Sequence, residues 1–368
     1  MPAKAYIPQL IFTGDTFLTD HAVLVEDGSI RDVLPVSLVP QGINPVNLPG
    51  QVLAPAFIDL QIYGAYDRLF AVYPEASSLR LLNEYCNKGG AAFCMPTVAT
   101  NTIAVFHKCI DAIRDYWQQG GKGVLGLHAE GPLINPEKKG AHIESLIHIP
   151  AVEEVRALLD HGKDVIRIIT LAPEMCSQEV IDLINSYGIK IFAGHSNASY
   201  EESMRSFDNG ITAVTHLYNA MSPLQHRNPG LVGAAFNHPT VMASIIADGH
   251  HVDHAAIRIA KKMMGERLFA ITDAVTKTTE GYYQHQPEKD KYTAAGILSG
   301  SALTMYKAFR NLVDHAGIET GEALRMCSLY PARVMGLDQE LGRIEKGYKA
   351  VMAVLPADPA DENITVIN

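Results

Sequence analysis

Beyond Pro55 the chain repeats one pattern, an apolar run of strand length followed by a segment of helical period. The runs cover roughly 56–63, 91–98, 123–130, 165–171, 189–195, 211–216, 241–247 and 267–273. Helix-like stretches lie between them, among them 76–88, 103–118, 152–161, 177–187, 199–209 and 254–264. Strand, helix, strand at this spacing implies parallel strands joined by right-handed crossovers. About eight such units predict closure into a (β/α)8 barrel of the TIM type. A doubly wound open α/β sheet is the structural alternative.

The two ends of the chain read differently. Residues 1–54 carry short strand patterns with turn signals such as Glu26-Asp27-Gly28. The tail repeats that style, with a turn in 341–348 and an apolar run in 350–355. We expect residues 1–54 and 335–368 to form one small β-sandwich domain flanking a barrel domain of residues 55–334.

Bulk properties narrow the partners. Of 368 residues, 47% are hydrophobic and 19% charged, with a net charge of -10. Nucleic acid is not an expected partner, because phosphate backbones select clustered Lys and Arg. The five cysteines are odd in number and form no Cys-x-x-Cys pair, which points away from a disulfide framework. The stretch Met1-Pro2-Ala3-Lys4-Ala5-Tyr6 lacks the apolar run of a leader, and no uninterrupted apolar window reaches membrane-spanning length. The expectation is a cytoplasmic protein with no membrane contact.

The chemistry sits at the ends of the apolar runs. Glu130 follows Leu127-His128-Ala129, His195 follows Ala193-Gly194, His216 follows Val214-Thr215, and Asp273 follows Ile271-Thr272. In a parallel barrel those ends form the mouth where active sites are built. Three ligands and one open position make a catalytic metal site, so Glu130, His195 and His216 are candidate ligands. A carboxylate beside them can take a proton from water and return it to a leaving amine, the role assigned to Asp273. The plainer readings are solvated polar residues at strand ends and, for Asp273, a helix cap. His128 either supports Glu130 from behind or ligates directly. Asp59 is assigned no chemistry. His107, His148, His161, His226, His238, His250, His254, His285 and His315 are read as surface or structural.

Taken with their order, several further motifs make the chain resemble the N-acetylglucosamine-6-phosphate deacetylases of the amidohydrolase superfamily. The residues that carry it are Leu127-His128-Ala129-Glu130-Gly131-Pro132, Lys139-Gly140-Ala141-His142, Leu171-Ala172-Pro173-Glu174, Gly194-His195-Ser196-Asn197, Thr215-His216-Leu217-Tyr218-Asn219-Ala220, Ile246-Ala247-Asp248-Gly249, Thr272-Asp273-Ala274 and Leu298-Ser299-Gly300-Ser301. The resemblance runs nearly end to end. It implies one divalent metal, most simply Zn2+ with Fe2+, Mn2+ or Co2+ as alternatives, held by Glu130, His195 and His216. It implies Asp273 as general base and acid and His142 as the group that polarises the acetyl carbonyl. It assigns Ala141, His142, Asn219, Ala220, Arg227, His251, Leu298, Ser299 and Gly300 to the sugar phosphate, and a guanidinium such as Arg227 suits a phosphate. It also implies a homodimer.

Many amidohydrolases carry His-x-His at the end of the first strand, where it helps hold a second metal. Here the residues are Gln61-Ile62-Tyr63. Neither replaces imidazole well, so a single metal is expected, with Gln61 and Tyr63 as candidates for lining the site. The family's smaller residue at 63 and its glycine-rich following loop are both absent, since Ala65-Tyr66-Asp67-Arg68-Leu69-Phe70 follows. The expected reaction is hydrolysis of N-acetylglucosamine 6-phosphate to glucosamine 6-phosphate and acetate, with metal-activated water as nucleophile. The alternatives are a related N-acyl amino sugar such as N-acetylgalactosamine 6-phosphate, or a non-catalytic sugar-phosphate binding protein.

Overall fold

The computed structural model describes residues 3–149, 151–358 and 361–368. Met1 and Pro2, part of the N-terminal stretch read above, lie outside the described residues.

Eight parallel strands follow one another around a barrel in chain order: Phe57–Ile62, Ala91–Ala99, Leu127–Glu130, Ile166–Leu171, Lys190–Ala193, Ala213–Val214, Met242–Ile246 and Leu268–Ile271. The first and eighth approach each other through a parallel bridge between Ile62 and Ala274, and the Asp273 amide donates to the Gln61 carbonyl at 2.9 Å. All eight apolar runs are therefore strands of one nearly closed barrel, and the open-sheet alternative falls away. The strands read as unbroken apolar runs because helices cover one face and the barrel interior the other. Phe57–Ile62, Met242–Ile246 and Leu268–Ile271 are buried along their whole length.

Strand ends differ modestly from the sequence pattern. The third strand starts at Leu127 rather than near 123. Gly123 there has φ 85°, and a Cβ at that position would lie 2.2 Å from the Asn83 side chain, so 123–125 make only an isolated bridge to Cys94 ahead of the regular strand.

Local chemistry sets the helices. Ser199 caps Tyr200–Asp208, taking the amide of Glu202 while the Glu202 carboxylate takes the amide of Ser199. Ser177, Asp253 and Thr304 cap three other helices, each accepting one backbone amide on its side-chain oxygen. The helix Ile103–Gln118 buries Phe106, Cys109, Ile110 and Ile113 at helical spacing against the barrel. Gly230–Asn237 carries no such signal, because it is buried nearly all round and shows no polar face.

The two chain ends meet in a β-rich unit. The sandwich expected there is realised as one hydrogen-bonded seven-stranded sheet, ordered Thr365–Ile367, Met352–Pro356, Asn44–Pro55, Lys4–Phe12, His21–Glu26 and Ser29–Pro35, with Phe17–Leu18 paired to Lys4–Phe12. Tyr6, Ile11, Val23, Ile30, Leu53, Met352 and Val354 form its core. Asn44–Pro55 runs directly into the first barrel strand, which couples the two units.

A three-stranded antiparallel sheet, Gln286–Glu288, Lys291–Ala294 and Ile297–Ser301, follows the eighth barrel strand. Its residues are largely exposed or half-buried, so no alternation announced it in the sequence. It carries Leu298 and Ser299 to the barrel mouth. No helix among the described residues is long and apolar enough to cross a membrane.

Candidate active site

Glu130, His195 and His216 come together at the barrel mouth, with one ligand atom from each within 4.8 Å of the others. All three are buried. Oε1 of Glu130 lies 3.1 Å from Nε2 of His216 and 3.3 Å from Nε2 of His195, and the two imidazole nitrogens are 3.1 Å apart. The Nδ1 of His195 faces the Lys138 carbonyl at 2.9 Å. That carbonyl can only accept, so the proton sits on Nδ1 and the Nε2 lone pair points at the other two ligands. A bare nitrogen aimed at a carboxylate oxygen is an arrangement a cation resolves. The donor set fits a divalent metal in its number and its chemistry.

The backbone at these positions is unusual. His195, His216 and Asp273 have φ of 48°, 33° and 54°, the left-handed region that non-glycine residues seldom adopt. Neighbouring strands hold them there. The His216 amide donates to Ser244 Oγ at 2.8 Å, and the Ser301 amide donates to the Asp273 carbonyl at 3.1 Å. Each side chain is thereby turned from its strand axis into the mouth.

Asp273 is buried among acids. Burial, with the charges of Glu130, Asp248 and Asp59 adding to it, holds its carboxyl well above the usual carboxylate range. Burial also opposes ionisation of Glu130, but its contacts with His142, His195 and His216 outweigh it and hold its carboxyl well below the usual carboxylate range. The two carboxyl groups are thus driven apart, one held towards the ionised form and one towards the protonated form.

His142 stands beside them. Its Nδ1 lies 2.7 Å from Thr100 Oγ1, and its Nε2 lies 3.3 Å from Glu130 Oε2. Burial and the neighbouring His195 push the imidazole down to about 4, so it is neutral near pH 7. The Thr100 hydroxyl donates to Nδ1, which leaves Nε2–H as a donor facing the mouth. Neither Thr100 nor this tautomer was legible in the sequence.

Gln61 and Tyr63 both reach the site. The Gln61 side-chain nitrogen lies 2.8 Å from Tyr63 Oη, 2.8 Å from Asp273 Oδ1 and 2.9 Å from Glu130 Oε1. The Tyr63 hydroxyl donates to Glu130 Oε2. The two side chains occupy, with hydrogen bonds, the space between the two carboxylates.

His128 lies deeper in the barrel. Its Nδ1 meets the Leu60 carbonyl at 3.1 Å and its Nε2 meets Thr170 Oγ1 at 2.7 Å, so both nitrogens are engaged away from the ligands. Asp59 accepts from the Thr272 hydroxyl at 2.5 Å and from the Thr272 amide at 3.1 Å, beneath Asp273.

The remaining candidates divide. Ala141, His142, Asn219, Ala220, His251, Leu298 and Ser299 line the cleft over the metal ligands. His251 is held by Asp248, whose Oδ2 lies 2.6 Å from its Nδ1. Gly300 sits one residue further along the same strand, paired with Tyr292. Arg227 lies on an exposed turn closed by the Gln225–Asn228 bridge and is not part of the cleft wall formed by this chain. Glu174 is a positioning residue that the sequence offered only as part of a motif. It accepts from Asn135 Nδ2 at 2.9 Å, Ser196 Oγ at 2.7 Å and the Asn197 amide at 2.6 Å.

Comparison with known proteins agrees with this geometry. An amidohydrolase family model matches residues 52–368, and a NagA composite domain model matches residues 7–53. The N-acetylglucosamine-6-phosphate deacetylase of Haemophilus influenzae is 34% identical over 361 residues, covering 95% of this chain and 94% of that protein. The N-acetylgalactosamine-6-phosphate deacetylase of Escherichia coli O157:H7 is 31% identical over 357 residues, covering 94% and 93%. The crystal structure of the N-acetylglucosamine-6-phosphate deacetylase from Pasteurella multocida superposes with a TM-score of 0.93 at 34% identity, covering 98% of this chain and 97% of the other. Barrel, converging ligands and end-to-end similarity lead to one assignment: the chain belongs to the amidohydrolase family.

Proposed function

We propose that the protein hydrolyses the N-acetyl group of N-acetylglucosamine 6-phosphate, giving acetate and glucosamine 6-phosphate. The observation that carries the reading is the meeting of three ligand atoms from Glu130, His195 and His216 in one cleft with the Asp273 carboxyl. A divalent cation bound by those three residues supplies Lewis-acid polarisation of the amide carbonyl and acidifies water. Zinc suits one carboxylate and two imidazoles.

The chain's own groups account for the proton traffic. Asp273 accepts the proton of the attacking water at its carboxylate and delivers it to the amide nitrogen as the C–N bond breaks. The raised affinity of Asp273 for a proton matches that double task. The Nε2–H of His142 donates to the carbonyl oxygen as negative charge develops on it. Gln61 holds Asp273 and Glu130 in register. Asn219, His251 and the backbone around Ala220 offer polar groups to the sugar phosphate.

One relative of comparable identity is named for the galactosamine epimer. That similarity keeps N-acetylgalactosamine 6-phosphate as the second reading, with the same residues in the same roles. We also infer a homodimer and a cytoplasmic setting. The exposed Leu224, on the loop that carries Arg227, supports the first, and five unpaired cysteines support the second.

The test is acetate release from both sugar phosphates and their unphosphorylated forms, before and after metal stripping and re-addition. The reading expects metal-dependent release that is fastest for N-acetylglucosamine 6-phosphate. Asp273→Asn should bind metal as the parent does and lose at least about a thousandfold in kcat. Metal-independent release, or unaltered turnover in that variant, refutes it.

A further inference from the structure

Behind Tyr63 and His142 the cleft adjoins a second, smaller cavity of about 40 Å³. Its walls are mainly apolar, with Leu69, Ala71, Ala99, Val275 and Tyr283 facing it. Tyr63, Glu130, Ala141, His142 and Ser299 border both cavities, so the recess opens beside the groups that face a bound amide.

The polar groups around the recess are turned to partners. The Tyr283 hydroxyl donates to the Thr100 carbonyl at 2.7 Å, and the Thr97 hydroxyl donates to the Met95 carbonyl at 3.1 Å. Ser299 Oγ and His285 Nδ1 lie 2.9 Å apart. Burial pushes the His285 imidazole down to about 4, so it is uncharged near neutral pH. The recess is therefore a largely apolar side chamber of a polar site, with the Glu130 carboxylate at the border it shares with the cleft.

An amide carbonyl carbon has three substituents. In the reading above its oxygen faces His142, and its nitrogen faces Asp273 and carries the sugar into the open cleft. The third substituent, the acyl carbon, then faces away from the sugar. We propose that this recess is the acyl-binding subsite and that the enzyme removes N-propionyl and N-butyryl groups as well as N-acetyl. The proposal rests on the deacylase reading of the main site. The reaction is unchanged: water's oxygen bonds to the acyl carbon, the C–N bond breaks, and water's proton goes to the amine.

Size sets the limit. A water-sized group needs roughly 10–15 Å³ of such space, so the recess takes about three. That accommodates a methyl group and up to two methylenes. Leu69 and Tyr283 are buried and pack with Ala99, which closes the far end to longer chains. Apolar burial is worth up to about fourfold in binding per methylene, offsetting the crowding of a longer acyl group.

The experiment measures kcat/KM for glucosamine 6-phosphate bearing acetyl, propionyl, butyryl or hexanoyl groups, read as free amine. Propionyl and butyryl should fall within about tenfold of acetyl, and hexanoyl should be at least about a hundredfold poorer. Ala71→Leu and, on another wall, Ala99→Val should each cost butyryl at least about tenfold relative to acetyl. Acetyl turnover should fall by less than butyryl turnover in both variants, and thermal melting, measured separately, reports folding. Acetyl hydrolysis with propionyl below about one hundredth of it overturns the subsite and leaves the deacetylase reading standing. Equal losses for every chain length in both variants overturn it too. Failure to hydrolyse any of the four overturns both.

Discussion

The side-chain amide of Gln61 donates to Oδ1 of Asp273 at 2.8 Å, across 212 residues of chain. The contact sits at the barrel's closing seam, one layer from the bond between the Asp273 amide and the Gln61 carbonyl. One side chain thus holds the Asp273 carboxyl and also touches the candidate ligand Glu130. Gln61→Leu should lower kcat at least about tenfold with little change in KM, because it misplaces Asp273 without removing a substrate contact. A kcat within twofold of the parent would show that Asp273 is held by its backbone alone.

Glu174 acts on the metal site at one remove. Two of the hydrogen bonds it accepts pin the Ser196-Asn197 segment directly after the left-handed His195, and the third comes from Asn135, whose amide donates to the His195 carbonyl. Glu174→Ala should weaken metal affinity by about 10–100-fold, the usual cost of losing support behind a ligand. Calorimetric zinc titration of the stripped protein reads this directly. Unaltered affinity would mean that barrel packing alone fixes His195.

Metal should also stabilise the fold. Binding to the native state alone adds about 4 kcal/mol at a thousandfold excess over Kd. The stripped protein should therefore melt lower and recover when metal is restored. Glu130→Gln should show almost no recovery, since it removes the anionic ligand around which both imidazoles converge. Full recovery in that variant would place the metal elsewhere.

Asp59 should impose a pH dependence on stability. Burial raises its carboxyl to about 6, although Thr272 and the Gln61 amide donate to it. The native state therefore holds the proton more tightly than the unfolded chain, whose carboxyls titrate near 3.9. The associated stability is fully present below about pH 4 and is lost as pH rises through about 6, on the order of 3 kcal/mol in all. Asp59→Asn should remove that slope in urea denaturation between about pH 4 and 7. A variant whose profile runs parallel to the parent would show that Asp59 is ionised throughout.

Much of the site was legible because a barrel strand is apolar until it reaches the mouth. An acidic or imidazole side chain at the end of a run then stands out, and Glu130, His195, His216 and Asp273 were found in that way. The sheet over 286–301 was not legible, since its half-exposed strands lack alternation. The helix at Gly230–Asn237 was missed because burial on nearly all sides erases its period.

The sequence alone determined the barrel, the terminal β unit and four candidate residues for the chemistry. Each strand, helix and candidate residue follows from a local pattern, and the barrel follows from the repetition of that pattern. Tertiary structure decided the rest: the tautomer of His142 through Thr100, the hold of Gln61 on two carboxylates, the exposed placement of Arg227 and the apolar recess beside the mouth. Those depend on which residues meet when the last strand closes on the first. Local periodicity carries no record of such contacts, because they are made by groups 42, 69 and 212 residues apart.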